Sequence, residues 1–388
     1  MKSYDVAVIG GGIIGITSAF FLSRLGKKVV VLEQGCLATR TTANSFAWIN
    51  ASSKAAKGDY HQLNASGLAG YNELAQEFGE EPLGLNPCGQ LYVVRTNDDT
   101  RYHELRQRWE LLQEKNYPTA WVEAKELPNL EPSINFNQEY EALYNFGELC
   151  LDAPRFSRFL AEQIRIKGGV VLENTEVLEL DISSSGHIRG LRTKIETLEA
   201  EKILLAAGAS SAEMLAQLTG FSGFANRFPL NKSPGLLVTT PNLSPRKLTR
   251  RVIYWEQTPD LHILPHFSGG WRMGADDTDG VIANDDTEEN RRAAAGSLLE
   301  RARERIIGFP ETLSINDCSI GVGIRPVPED GISIADVLPG SENFFVVVTH
   351  SGVTLSPILG KLMAEFMESG TRPRELLPYS LTRFPGFQ

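Results

Sequence analysis

Val6-Ala7-Val8-Ile9-Gly10-Gly11-Gly12-Ile13-Ile14-Gly15 is the stretch that decides the fold. The apolar run 5–9, rich in valine and closed by glycines, reads as a buried parallel strand. Residues 13–25 carry Ile16, Ala19 and Phe20 at helical spacing, and Gly26 ends that helix before a second strand over 28–32. This is a β-α-β unit in about the 30 residues such a unit needs. In that context G-x-G-x-x-G has a physical meaning. Gly10 permits the tight turn, Gly12 lets a pyrophosphate approach backbone, and Gly15 lets helix and strand pack. Unpaired N–H groups at the helix start face the negative charge. Glu33 lies 18 residues beyond Gly15, at the end of the second strand, where a carboxylate accepts both hydroxyls of an unphosphorylated ribose. The unit therefore predicts an adenine dinucleotide. NAD and FAD present the same adenosine diphosphate, so the unit alone leaves that choice open.

The rest of the chain is of ordinary globular composition: 388 residues, 42% hydrophobic, 22% charged, formal net charge −10. That charge gives no reason to expect nucleic acid or an anionic membrane surface as partner, so an anionic substrate must meet a local cation. Cys36, Cys88, Cys150 and Cys318 form no C-x-x-C pair. Their scatter argues against a disulfide framework or thiolate metal site and for reduced, cytoplasmic thiols; no metal is expected. The nucleotide pattern begins at once, leaving no room for a cleavable signal sequence, and no run of about 18 apolar residues predicts a transmembrane helix. A homo-oligomer stays open.

Helical periodicity is read over 59–78, 102–116, 156–167, 288–307 and 357–369. Arg291, Arg292, Arg301, Arg303 and Arg305 in the fourth of these read as a solvated face. Segment 82–94 reads as a turn leading to a strand, 128–144 as a surface connection broken by prolines and asparagines, and 183–186 as a hairpin turn. Strands are expected at 170–172, 175–181, 202–206 and 344–349, and short antiparallel strands across 221–271.

Further residues carry a resemblance. Arg40-Thr41-Thr42-Ala43 after Glu33, Asn174-Thr175-Glu176-Val177-Leu178, Ala206-Ala207-Gly208-Ala209-Ser210, Gly321-Val322-Gly323-Ile324-Arg325-Pro326 and Thr349-His350-Ser351-Gly352-Val353-Thr354-Leu355-Ser356-Pro357 join the opening motif. Together they resemble the glycine oxidase and D-amino acid oxidase/dehydrogenase family of FAD enzymes over nearly the whole chain. The resemblance implies an α/β fold: a Rossmann-like FAD domain of the glutathione-reductase type over 1–80, 145–222 and 320–388, and an α+β, mainly antiparallel substrate domain over 81–144 and 223–319. It implies that Gly10, Gly12, Ile13, Ile14, Gly15, Glu33, Gln34, Arg40, Ala207 and Gly208 hold FAD, with Thr41 and Thr42 against the pyrophosphate and ribityl and the Val177 backbone at adenine. Gly352, Val353 and Thr354 would meet the pyrimidine edge of the flavin. Phe46, Ala47 and Trp48 stand where glycine oxidases carry a small, glycine-containing segment, and would reshape the flavin's face. The place where sarcosine oxidases bear the flavin-bonding cysteine is Gly323, so FAD is expected to be non-covalent.

The same resemblance makes Arg325 the bidentate partner of a substrate carboxylate, a task suited to guanidinium. The alternative is a structural arginine paired with Glu329 or Asp330. His262 takes the place of a glycine-oxidase tyrosine near substrate, against the alternative of a structural histidine on a strand. Asp276 and Asp277 fall on the family's active-site strand or in a hairpin turn, and His350 precedes the flavin turn, within reach of flavin or substrate. The expected reaction is oxidation of the C–N bond of a small D-, N-methyl or glycine-like amino acid to an imine, hydrolysed to an oxo acid and an amine, with oxygen or another acceptor taking the electrons. Two rival classes are an NAD(P)H-using flavin reductase or monooxygenase, for which no second nucleotide motif is found, and a non-catalytic flavin-binding electron-transfer subunit.

Overall fold

The computed structural model describes residues 2–136, 139–183, 187–243 and 249–387. Strand β1 (Lys2–Ile9) pairs in parallel with β2 (Val29–Leu32) on one side and with Thr197–Leu205 on the other. Val6 and Val8 join one apolar core while Ala7 and Ile9 join another, the alternation of a strand buried on both faces. Between β1 and β2 runs α1 (Ile13–Arg24), whose Ile16, Ala19, Phe20 and Leu22 are fully buried. The sheet extends in parallel through Val170–Leu172 beyond β2 and Phe344–Val348 beyond Thr197–Leu205, with Ile334–Val337 antiparallel at that edge. Val177–Ile182 and Ile188–Thr193 pair antiparallel and extend from Thr197–Leu205. The turn expected at 183–186 lies, in its residues 184–186, outside the described residues. Strand order reverses at β1, so a crevice opens at the carboxyl ends of β1 and of Thr197–Leu205, where open α/β sheets bind ligands.

The helix Gly352–Ser369 covers this sheet beside α1. A Cβ at its Gly360 would lie 2.8 Å from Thr17 Cγ2, and one at Gly67 of the crossing helix Gly58–Phe78 would lie 2.2 Å from the Thr354 carbonyl oxygen. Glycine at both crossings thus brings three helices close enough to fix the first turn of Gly352–Ser369. That helix starts five residues before the expected 357. Pro357 lacks the N–H that would bond the Val353 carbonyl, which ordinarily weighs against a proline inside a helix. Here the Tyr71 hydroxyl donates to that carbonyl at 2.6 Å and sits 2.8 Å from Ser356 Oγ. A side chain from another helix restores what the proline removes.

The second sheet has the order Ser319–Pro328, Leu230–Thr239, Trp271–Gly274, Leu261–Pro265, Val252–Trp255, Gln90–Arg95, Tyr140–Asn145, Thr119–Val122. It is antiparallel except for the pairing of Val252–Trp255 with Gln90–Arg95. Segment 128–144 is therefore not merely a surface connection: Tyr140–Asn145 is an internal strand, paired on both sides. The helix Glu288–Arg305 packs Leu298 and Leu299 on this sheet's core. Two of its arginines are not a solvated face. Arg305 is 9% exposed, donates to the Pro259 carbonyl at 2.7 Å and lies over the Trp255 ring, while Arg301 pairs with Asp277 at 2.6 Å. Asp276 and Asp277 form no hairpin turn; they open the helix Asp276–Asn284, where carboxylates meet the positive end of the dipole.

Candidate active site

A cavity of ≈ 1090 Å³ runs from the crevice above the first sheet to the face of the second. At its first end the backbone dominates. Gly10 has φ 113°, and a Cβ there would lie 2.5 Å from the Ala206 carbonyl oxygen. A Cβ at Gly15 would lie 2.1 Å from the Gly10 carbonyl oxygen, so Gly15 acts from beneath the cavity while Gly10, Gly12, Ile13 and Ile14 line it. Gly12 caps α1, which has no acidic residue in its first turn and so keeps its positive end for an anion. The Glu33 carboxylate accepts from Gly11 N and Gly35 N, each at 2.8 Å, which fixes it at the tip of β2. Gln34 and Arg40 lie beside it, and with its oxygen turned to Arg40 the Gln34 amide accepts from that guanidinium at 2.9 Å. Thr42 Oγ1 accepts from Ile13 N at 3.2 Å, and Thr41 Oγ1 donates to the Ile324 carbonyl at 2.7 Å. Val177, Ala207 and Gly208 complete this end.

These residues suit an extended dinucleotide. The groove between Gly12 and Thr42 stays open, since a Cβ on Gly12 would meet nothing closer than Thr42 Oγ1 at 3.6 Å. The volume exceeds the roughly 300–1,000 Å³ of ordinary small-ligand sites. At Gly323 a Cβ would lie 2.4 Å from the Asn44 carbonyl oxygen, so no side chain fits where a covalent flavin link would need one.

At the other end side chains from distant elements converge. Phe46, Ala47 and Trp48 line the wall, as do Gly352, Val353 and Thr354, which form the first turn of Gly352–Ser369 with its N–H groups unpaired within the helix. The Trp48 indole is held by Glu148, which also accepts from Ser52 N at 3.1 Å and from the Tyr117 hydroxyl at 2.8 Å. Glu148 is fully buried, and burial pushes its carboxyl up to about 7. Arg325 lies within the strand Ser319–Pro328. Its partner is neither Glu329 nor Asp330: Nη2 pairs with Asp279 at 2.8 Å and donates to Ser233 Oγ at 3.1 Å and Pro234 O at 2.9 Å, whereas Asp330 is bound by Arg383. Nη1 has no hydrogen bond among the described residues.

Arg325, His262 and His350 all line the cavity. His262 stacks on Tyr254, ring centroids 5.2 Å apart, and meets Phe46 edge-on at 4.7 Å. Its Nδ1 is buried without a partner among the described residues, and burial lowers its pKa to about 4, opposed by Asp276 and aided by Arg325. His350 keeps an exposed surface toward the cavity, yet the protein packed around it lowers its pKa to about 4, with Lys54 and Arg325 adding to the shift. Both imidazoles are neutral near pH 7. Sequence reasoning missed Lys54, Arg108, Tyr254, Glu256 and Asp279, which line the same cavity. Their local sequence is that of surface helices and strand ends, and only the tertiary pairing brings them inward. Among the described residues no helix is long and apolar enough to cross a membrane.

Residues 5–366 match the family described as FAD dependent oxidoreductase. A glycine oxidase of Geobacillus kaustophilus is 27% identical over 392 residues, covering 99% of this chain and 98% of that protein. An opine oxidase subunit of Agrobacterium tumefaciens is 25% identical, covering 99% and 98%. The crystal structure of the Geobacillus kaustophilus glycine oxidase superposes with a TM-score of 0.81 at 24% identity, covering 99% of each chain. A nucleotide crevice at the strand-order reversal and a single cavity joining it to a polar second sheet are what such a relationship requires, and the chain belongs to the FAD-dependent oxidoreductase family, with FAD as its cofactor.

Proposed function

We propose that the chain oxidises the C–N bond of a small amino acid to an imine, which water hydrolyses to an oxo acid and an amine. One observation carries this reading: Arg325, with Nη1 unengaged, shares a cavity with the residues assigned to the flavin. Bound FAD supplies acceptance of two electrons from the substrate's Cα–N unit. The chain's own residues do the rest. Gly10 to Gly15, Glu33, Arg40, Thr41 and Thr42 hold the dinucleotide non-covalently, and Val177, Ala207 and Gly208 bound its adenosine end. The first turn of Gly352–Ser369 offers unpaired N–H groups to the cavity, where they would meet the flavin's pyrimidine edge and stabilise negative charge on it.

Arg325 orients the substrate by its carboxylate, and Asp279 fixes the guanidinium in turn. Phe46, Trp48, Tyr254 and the neutral His262 form walls that exclude water while the C–N bond is oxidised. No side chain need act as base, because an amine that arrives unprotonated needs no further proton removed from nitrogen before the electrons leave. On this reading residues 1–80, 145–222 and 320–388 form the FAD domain and the remainder the substrate domain, with the strand Ser319–Pro328 of the third stretch crossing into the second sheet.

A second reading keeps the flavin site but places the chain inside a larger enzyme, passing electrons to a partner. The similarity to a protein named as one subunit of an opine oxidase favours it. Product analysis separates the two. Purified holoenzyme alone, given air and glycine, sarcosine, proline or D- or L-amino acids, is expected to accumulate oxo acid and amine in equal amounts. Turnover that appears only with an added dye acceptor supports the second reading, and no product with either acceptor rejects amino-acid oxidation.

A further inference from the structure

The cavity contains a cation with no counterpart. Lys54 ends the short helical turn Ser52–Lys54, whose geometry is fixed by the Ser52 N–H bond to Glu148 and by the Lys54 N–H bond to the Ala51 carbonyl at 3.0 Å. Its side chain lines the cavity. Among the described residues no carboxylate, hydroxyl or amide lies within hydrogen-bonding distance of its ammonium. The cavity's other cations are each engaged: Arg325 by Asp279, Arg108 by Glu256 at 2.9 Å, Arg40 by Gln34 and Lys232 by Glu213. The carboxylates are engaged as well, since Asp276 accepts from the Tyr254 hydroxyl at 2.9 Å and Asp279 from Leu236 N at 2.7 Å.

An ammonium drawn partly out of water without a partner is costly, and Lys54 feels both Lys57 and Arg108 as further positive charge, with Glu148 opposing them. Such a site is completed by an anion arriving from the cavity. The FAD pyrophosphate is assigned to the Gly10–Gly15 turn and Arg40, so the anion for Lys54 is a different group. Lys54, Arg325 and His350 all line this one cavity, and both cations pull the His350 pKa down. A ligand there meets one guanidinium and one ammonium.

We propose that Lys54 determines specificity by receiving a second carboxylate, so that the substrate is an amino acid with two carboxylates, one on Arg325 and one on Lys54. This rests on the reading of the cavity as an amino-acid oxidation site and names its substrate class. A single carboxylate engages Arg325 and leaves Lys54 unpaired, whereas the second carboxylate converts that cost into a charge-assisted hydrogen bond.

The test begins with binding, using FAD-loaded protein and ligands that cannot be oxidised at a C–N bond. Malonate, succinate and glutarate are titrated against propionate, butyrate and valerate by calorimetry and by flavin absorbance. At least one dicarboxylate is expected to bind roughly 10- to 100-fold more tightly than the monocarboxylate of equal length, the scale of one such bond. Lys54→Met removes the preference and Lys54→Arg retains most of it. Anaerobic flavin reduction by D- and L-aspartate, D- and L-glutamate and iminodiacetate, against asparagine, glutamine and sarcosine, should show the same preference and the same dependence on Lys54. Equal binding of the paired ligands, or a preference unchanged in Lys54→Met, overturns the proposal. So does a Lys54→Met variant whose flavin potential moves while ligand preference does not, because Lys54 then serves the cofactor. If neutral amino acids reduce the flavin best, amino-acid oxidation stands and the second carboxylate falls; if no amino acid reduces it, both fall.

Discussion

The two ends of the cavity are built by different means. At the nucleotide end most contacts come from backbone and from residues close in sequence: one glycine turn, one helix start and one carboxylate at a strand tip between Ile9 and Thr42, closed by Val177, Ala207 and Gly208. At the substrate end the walls come from residues as far apart as Trp48, Arg108, Tyr254, Asp279, Arg325 and Thr354, and specificity rests in side chains. At Gly10 and Gly15 the first end tolerates no added carbon, because there backbone faces backbone. The second is walled largely by side chains, which single substitutions can change one at a time. A fold that separates a fixed cofactor cradle from a variable side-chain wall lets one cofactor serve many substrates.

Substitutions at the two ends should therefore fail in different ways. The largest effect is expected for Gly15→Ala. Its Cβ would lie 2.1 Å from the Gly10 carbonyl oxygen, a clash only backbone movement relieves. The expected cost is about 3 kcal/mol, the top of the usual range for overpacking, and flavin should be lost along with it. Flavin absorbance per protein reads the outcome, and full flavin content would break the contrast between the two ends. Arg325→Ala comes next. It should retain flavin yet lose ~30- to ~1000-fold in kcat/KM for a carboxylate substrate, as truncating one partner of a desolvated charge pair costs ~2–4 kcal/mol. Unchanged kinetics would move the carboxylate anchor elsewhere.

Glu148→Gln is the mildest for the site itself and shows in the pH dependence of stability. The Glu148 carboxyl is pushed up from its ordinary 4.5 to about 7 by burial. Between those values the unfolded chain has already lost this proton and the folded chain keeps it, so the residue's contribution to stability falls as pH rises through that window and is level above it. At about 1.4 kcal/mol per pH unit the loss is roughly 3 kcal/mol. Denaturant melts at pH 4.5 and pH 8 should show a smaller decline in Glu148→Gln than in wild type. An identical decline in both would show that Glu148 is ionised in the folded state.

The same contrast governs what is legible in the sequence. The β-α-β unit and its carboxylate are readable because each glycine's reason lies within the motif: a turn, a phosphate approach, the packing of helix on strand. Tyr140–Asn145 is not, because its neighbours in the sheet come from 90–95 and 119–122 while its local text follows a run of prolines and asparagines. The start of Gly352–Ser369 is read too late because Pro357 is a local stop signal. The Tyr71 hydroxyl that overrides it lies 282 residues from the carbonyl it serves. Arg325 is found by resemblance, but its partner Asp279 is not, since a helix from another part of the chain supplies it. Lys54 carries no signal at all in a run of alanines, serines and lysines, and only its place in the cavity distinguishes it.

The central claim is that one cavity brings a bound amino acid to FAD. It is tested most directly by mixing the purified holoenzyme with amino acids in the absence of oxygen and recording the flavin spectrum. Loss of the oxidised flavin absorption with at least one amino acid, slowed sharply in Arg325→Ala at equal flavin content, is the expected result. A flavin spectrum unchanged by every amino acid, in protein that releases FAD on denaturation, would contradict it.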